Sequence, residues 1–211
     1  IHQSFESFDV SNSFNVEVNK YGEVIKSFIV RYFACVHINE KILDAVIDLC
    51  TEFHTQLSFV SDIINSPIWD KYNSRYQSHT KPLKYIIGEL ENRKVDVCDG
   101  FYNSLVESLD KRDGYGHRIY FDHNFRRFIV IKEKYHHLSN GTTGLSCWQA
   151  SCHLAHFLLG IGSHLLDGRD VIELGAGCGL CGIAVAGVGR ARSMTLTDCN
   201  PDVLKLLEEN K

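Results

Sequence analysis

The chain has 211 residues, 44% of them hydrophobic and 23% charged, an ordinary globular balance that excludes general disorder and can supply a real core. A formal charge of −4 and a pI near 6.3 exclude the dense basic footprint of nucleic-acid or anionic-membrane binding. No apolar stretch approaches the ~20 residues of a spanning helix, and the first residues lack the charged and apolar regions of a secretory signal, so a cytoplasmic protein is expected.

Residues 1–20 are polar and rich in Phe, Ser and Asn, and read as a loose tail. Val24, Ile25, Phe28, Ile29, Tyr32 and Phe33 then recur at helical spacing. Asn39 is placed to cap a second helix carrying Ile42, Leu43, Val46, Ile47, Cys50 and Phe53. The polar and aromatic stretch from about Ser61 to Thr80 reads as an irregular connector. A third helix is expected past Pro82 with Leu83, Ile86, Ile87 and Leu90, and a fourth with Phe101, Leu105, Val106 and Leu109.

After Asp113-Gly114 the period changes from helical to extended. His117–Phe121 and Arg127–Ile131 flank Asp122-His-Asn124 in the pattern of a β-hairpin. The basic pair Arg126-Arg127 reads as a solvated edge of that hairpin. These observations predict a helical N-terminal region over 1–114 and an α/β region over 115–211.

The most informative run is Val171-Ile-Glu-Leu-Gly-Ala-Gly-Cys-Gly-Leu-Cys-Gly182, a strand-like stretch, a glycine-rich turn and an apolar helix start. This is how doubly wound α/β domains hold nucleotide-like cofactors. Gly175, Gly177 and Gly179 lack Cβ atoms, so the turn can take positive φ and bring main chain close to a ligand. The spacing Glu173-x-Gly-x-Gly-x-Gly departs from the dinucleotide pattern G-x-G-x-x-G and fits an S-adenosylmethionine site better. Ser193–Asp198 reads as a second strand ending in a carboxylate about 20 residues beyond the turn, where such folds place the acceptor for ribose hydroxyls. The competing role for Asp198 is a helix N-cap, since Pro201 opens a helix; Asn200 can fill that role instead.

The segment Gly141-Thr-Thr-Gly-Leu-Ser-Cys-Trp148-Gln-Ala150, followed by a helix and the Glu173 run, resembles the family 16 seven-strand protein-lysine methyltransferases. Within them it looks most like the enzymes that methylate eukaryotic elongation factor 2. The resemblance covers about Tyr21 to Lys211, more closely after Gly141. It implies a Rossmann-like seven-strand sheet, S-adenosylmethionine as cofactor and elongation factor 2 as protein substrate. It further implies that Trp148 lies against the cofactor and that Gly175, Ala176 and Gly177 contact it through main chain. From the residues alone, a Trp opening an amphipathic helix is more often core than ligand. No catalytic residue follows, because methyl transfer to an amine needs orientation and lysine deprotonation but no base in the turn.

The eight cysteines are scattered in a chain without an export signal, so free thiols are expected. Cys178-Gly-Leu-Cys181 has redox-motif spacing but falls inside the cofactor turn. Cys147, Cys152, His153 and His156 lack paired ligand knuckles, as does His136-His137, so no metal is expected. The family's later strands, with their acidic substrate pocket, have no counterpart before Lys211, and Met194 is the sole methionine. The expectation is therefore a partial domain that binds cofactor weakly and does not turn over. Two other classes stay open: a non-catalytic module binding a translation factor or chaperone, and a nucleotide-binding oxidoreductase.

Overall fold

A computed structural model describes residues 20–72, 77–109, 114–122, 124–125, 128–135 and 141–211. Most of the expected tail, the Arg126-Arg127 pair and the His136-His137 pair lie outside these residues. The described chain divides into two compact units, one reaching to Phe128 and the other running from Ile129 to Lys211.

The first unit is helical. Helix α1 (Glu23–Phe33) buries Ile25, Phe28, Ile29, Tyr32 and Phe33 of the expected stripe, while Val24 is exposed. Helix α2 (Glu40–Leu49) is capped by Asn39, whose side chain accepts from the Ile42 amide at 3.0 Å, and buries Ile42, Leu43, Val46 and Ile47. Such a cap satisfies an amide that the helix cannot pair internally. Helix α5 (Thr80–Asn92) buries Pro82, Leu83, Ile86, Ile87 and Leu90.

Three expectations need correction here. Phe53, expected on the second helix, opens a separate one, α3 (Phe53–Phe59), and is exposed, because α2 ends at Leu49. The connector from about Ser61 is largely helical among its described residues: α3 runs into a π-helical turn over Val60–Ile64, and α4 (Ile68–Lys71) follows. Aromatic packing overrides the polar composition. Trp69 stacks on Phe33 with centroids 4.4 Å apart, and its indole N–H donates to the Ile63 carbonyl at 3.2 Å. In α6 (Asp99–Leu109), Phe101 is buried as expected but Val106 and Leu109 are exposed; Ser104 and Ser108 occupy the inner face instead. Their hydroxyls are satisfied internally, Ser104 donating to the Gly100 carbonyl and Ser108 to the Leu105 carbonyl. Strand β1 (Tyr115–Phe121) closes the unit.

The second unit contains β2 (Phe128–Lys134) from Ile129 onward, then α7 (Gln149–Leu159), β3 (Asp170–Leu174), α8 (Leu180–Val188), β4 (Ser193–Thr197) and α9 (Pro201–Asn210). Strands β3 and β4 are parallel, in register from Asp170 opposite Ser193 to Leu174 opposite Thr197. With α8 between them they form a βαβ crossover, the expected α/β element. Its core gathers Ala155, Leu166, Cys181, Ala184 and Val185, with Val171 and Met194 packed against them. Gly182 permits this close approach, because a Cβ there would meet the Leu196 side chain and lie 2.7 Å from Glu173 Oε2.

A hydrophobic run such as Val-Ile-Glu-Leu usually marks a strand buried on both faces. Here Ile172 and Leu174 are 65% and 82% exposed. The helices cover one face of the strand pair, and the alternate side chains of β3 on the other face stay in contact with solvent.

Candidate functional site

The glycine turn lies between the end of β3 and the start of α8. Gly175, Gly177 and Gly179 have φ of 68°, 55° and 88°, so each uses the left-handed region that favours glycine. The Ala176 amide donates to the Thr197 carbonyl at 2.8 Å, extending the strand ladder into the turn. The Gly177 amide donates to Asp198 Oδ2 at 3.2 Å.

Asp198 is thus fixed at the edge of the turn. Its Oδ1 accepts from the Asn200 amide at 3.1 Å. The capping role falls to Asn200, which accepts from the amides of Asp202 and Val203 at the start of α9, with Pro201 in the first turn. A carboxylate has roughly four acceptor sites, so Asp198 can keep these two amides and still accept from a ligand hydroxyl.

The segment Gly141–Trp148 approaches the same turn. A Cβ on Gly177 would lie 3.2 Å from the Gly144 carbonyl oxygen, which also accepts from Cys178 Sγ at 3.5 Å. Thr142 Oγ1 accepts from the Gly144 amide at 3.1 Å. Leu145 and Ser146 tie the segment to β2: the Lys134 amide donates to the Leu145 carbonyl at 2.7 Å, and Ser146 Oγ donates to the Lys134 carbonyl at 2.9 Å. Trp148 precedes α7, is 52% exposed, and donates from its indole N–H to the Thr143 carbonyl at 3.0 Å. It is therefore not a core residue, and its ring stands at the end of the segment that meets the glycine turn.

Two residues of this neighbourhood were not anticipated. Asn210, near the end of α9, donates to the carbonyls of Cys178 and Lys132 and accepts from the Lys132 amide, joining the turn to β2. Nothing in its polar helical context announces this. Glu133 is 1% exposed and accepts from the Cys147 amide at 2.6 Å. The two-residue period of β2 could have found it, since Glu133 follows buried Ile131 by two and so shares its face.

Glu173, in β3, turns the other way, toward α8. Burial lifts its carboxyl above the ordinary range, against a smaller pull from the Gly182 amide, and its Oε2 has no hydrogen-bond partner among the described residues. Burial, reinforced by Glu173, pushes the Cys181 thiol up to about 12. That thiol stays protonated at neutral pH and is a poor nucleophile. Among the described residues, the one grouping with metal-ligand geometry is Glu133, Cys147 and Cys178, which shares only Cys147 with the cysteines and histidines that the sequence places near one another. A recess of about 320 Å³ lined by His153, His156, Phe157, Gly160 and Ile161 lies at the end of α7 and shares no residue with the glycine turn.

Residues 129–211 match the family described as lysine methyltransferase. The chain is 33% identical over 129 residues to the protein-lysine N-methyltransferase EEF2KMT of Homo sapiens, covering 61% of this chain and 38% of that protein. It is 28% identical over 158 residues to EEF2KMT of Bos taurus, covering 73% and 45%. It is 33% identical over 72 residues to the protein-lysine N-methyltransferase EFM3 of Chaetomium thermophilum, covering 34% and 21%. The chain thus spans less than half the length of these relatives.

Proposed function

We propose that this chain, a relative of the lysine methyltransferases over residues 129–211, supplies the S-adenosylmethionine-binding part of an enzyme that methylates a lysine of a protein substrate. The observation that carries the reading is the convergence on one glycine turn of main chain free of Cβ atoms, the Asp198 carboxylate and the Trp148 segment.

S-adenosylmethionine supplies a methyl group on a positively charged sulfur, which a neutral amine attacks in line while the thioether leaves. The residues here bind and orient. Gly175, Ala176 and Gly177 offer close main-chain approach, Asp198 accepts from the ribose hydroxyls, and Trp148 flanks the ligand with its exposed ring. Orientation of this kind contributes much of the rate in such transfers. A site that excludes water keeps the attacking lysine neutral by penalising its charged form.

We propose elongation factor 2 as the protein substrate, on the resemblance of the Gly141–Ala150 segment, and a cytoplasmic setting with it. The larger seven-strand sheet belongs to the same proposal. The test is incubation of the chain with S-adenosylmethionine and elongation factor 2, with lysine methylation mapped by mass spectrometry. Methylation that requires Gly177 supports the reading. Donor binding without any methylation limits this chain to the cofactor-binding part. A non-catalytic interaction module is favoured by one observation, the exposed Phe53 and Leu57 one turn apart on α3; capture of a translation factor without any donor binding would select it.

A further inference from the structure

Three segments of the second unit bring chemically unlike side chains to one buried point. Glu133 comes from β2, Cys147 from the end of the Gly141–Trp148 segment, and Cys178 from the glycine turn. One carboxylate oxygen and the two sulfurs all lie within 4.8 Å of one another, and all three residues are buried. Neither cysteine is in a disulfide.

We propose that Glu133, Cys147 and Cys178 form a binding site for a thiophilic divalent cation, zinc being the best match. Two thiolates and a carboxylate suit that borderline-soft ion, whose Zn–S and Zn–O bonds are about 2.3 and 2.0–2.2 Å. Tetrahedral angles at those lengths put the two sulfurs about 3.8 Å apart. The present spread of at most 4.8 Å therefore closes with side-chain movements of less than about 1 Å. The Cys147 amide already orients the Glu133 carboxylate from one side, an outer-shell contact of the kind that fixes metal ligands.

Binding converts two thiols to thiolates and releases their protons to solvent; no redox partner is needed. Three protein ligands leave a fourth coordination position for water. The ion would fasten β2 and the Trp148 segment to the glycine turn, because Cys147 adjoins Trp148 and Cys178 sits between Gly177 and Gly179. The site adjoins the turn proposed to hold the methyl donor, but its test reads metal binding alone, so either proposal can fail without the other.

The test is titration of the reduced full-length chain with Co²⁺, followed by displacement with Zn²⁺. The expected result is one equivalent bound, with a thiolate-to-cobalt charge-transfer band that zinc abolishes. Cys147→Ser and Cys178→Ser each weaken binding at least tenfold, Glu133→Gln weakens it by a similar factor, and Cys152→Ser and Cys199→Ser leave it unchanged. Circular dichroism shows whether each variant is folded. Absence of the thiolate band in the unsubstituted chain overturns the proposal without reference to any variant. Survival of the band in a folded Cys147→Ser, Cys178→Ser double variant also overturns it, by placing the metal elsewhere.

Discussion

Replacing Gly177 with alanine separates what the backbone of the turn needs from what a ligand needs. Gly177 has φ of 55°, and a non-glycine residue in that region costs about 1–2 kcal/mol. Alanine recovers about 0.4–1 kcal/mol by restricting the unfolded chain. The new Cβ also lies 3.2 Å from the Gly144 carbonyl oxygen, a contact tight enough to require a small shift. The net expectation is a loss of about 1 kcal/mol in stability, a few degrees in Tm for a domain of this size.

Gly189, which follows α8, supplies the control. Its φ is 70°, and a Cβ there meets nothing within 4 Å. Gly189→Ala therefore carries the same backbone penalty away from the turn. Thermal unfolding should show similar losses for both variants. Calorimetric titration with S-adenosylmethionine should show at least a tenfold loss of affinity for Gly177→Ala alone, equivalent to about 1.4 kcal/mol. Equal donor affinity in the two variants would refute the reasoning, since it would make Gly177 a requirement of the fold and not of the ligand.

Asp198→Asn keeps one oxygen for the Gly177 or Asn200 amide but removes the negative charge; donor affinity should fall about tenfold with Tm within a few degrees of wild type, measured by the same titration. Trp148→Ala should leave far-ultraviolet circular dichroism unchanged, because the ring is exposed, while weakening donor binding; a variant with full affinity returns Trp148 to a purely local role through its bond to Thr143. Burial raises the Glu173 carboxyl above its ordinary 4.5, so the folded state holds a proton that the unfolded chain has released. Stability therefore declines as pH rises from the unfolded value through the raised folded value, and the loss is complete above it. Glu173→Gln should remove that decline, so its Tm advantage over wild type should be small below the ordinary carboxyl value and grow as pH rises above it; a constant difference across the range would contradict the burial argument. Asn200→Ala should cost about 1 kcal/mol through loss of the α9 cap, read by chemical denaturation.

Much of the second unit was legible because its cues are local. The glycine spacing, Pro201 after Asn200, and the strand-like run ending in Asp198 each follow from the steric needs of a short segment, and each reappears in the turn, cap and strand. The helical stripes of α1, α2 and α5 were legible for the same reason. What escaped depends on partners far along the chain. Ser104 and Ser108 face inward on α6, where their hydroxyls also meet Asn65 Oδ1 and the Thr80 hydroxyl, partners that a hydrophobicity pattern passes over. The helical character of 60–71 rests on Trp69 stacking against Phe33. Asn210 and Glu133 act through bonds to β2, the glycine turn and the Cys147 amide, and only β2's alternation hinted at the second. The exposure of Trp148 runs against the residue-level expectation, since a Trp that opens an amphipathic helix is more often core.

The central claim is that the glycine turn, with Asp198 and Trp148 beside it, binds a methyl donor. Calorimetric titration of the folded chain with S-adenosylmethionine, and with NAD as the control, tests it most directly. The account predicts saturable binding of S-adenosylmethionine that is lost in Gly177→Ala, and no binding of NAD. Binding of NAD alone would contradict it and move the chain to the nucleotide-binding oxidoreductases.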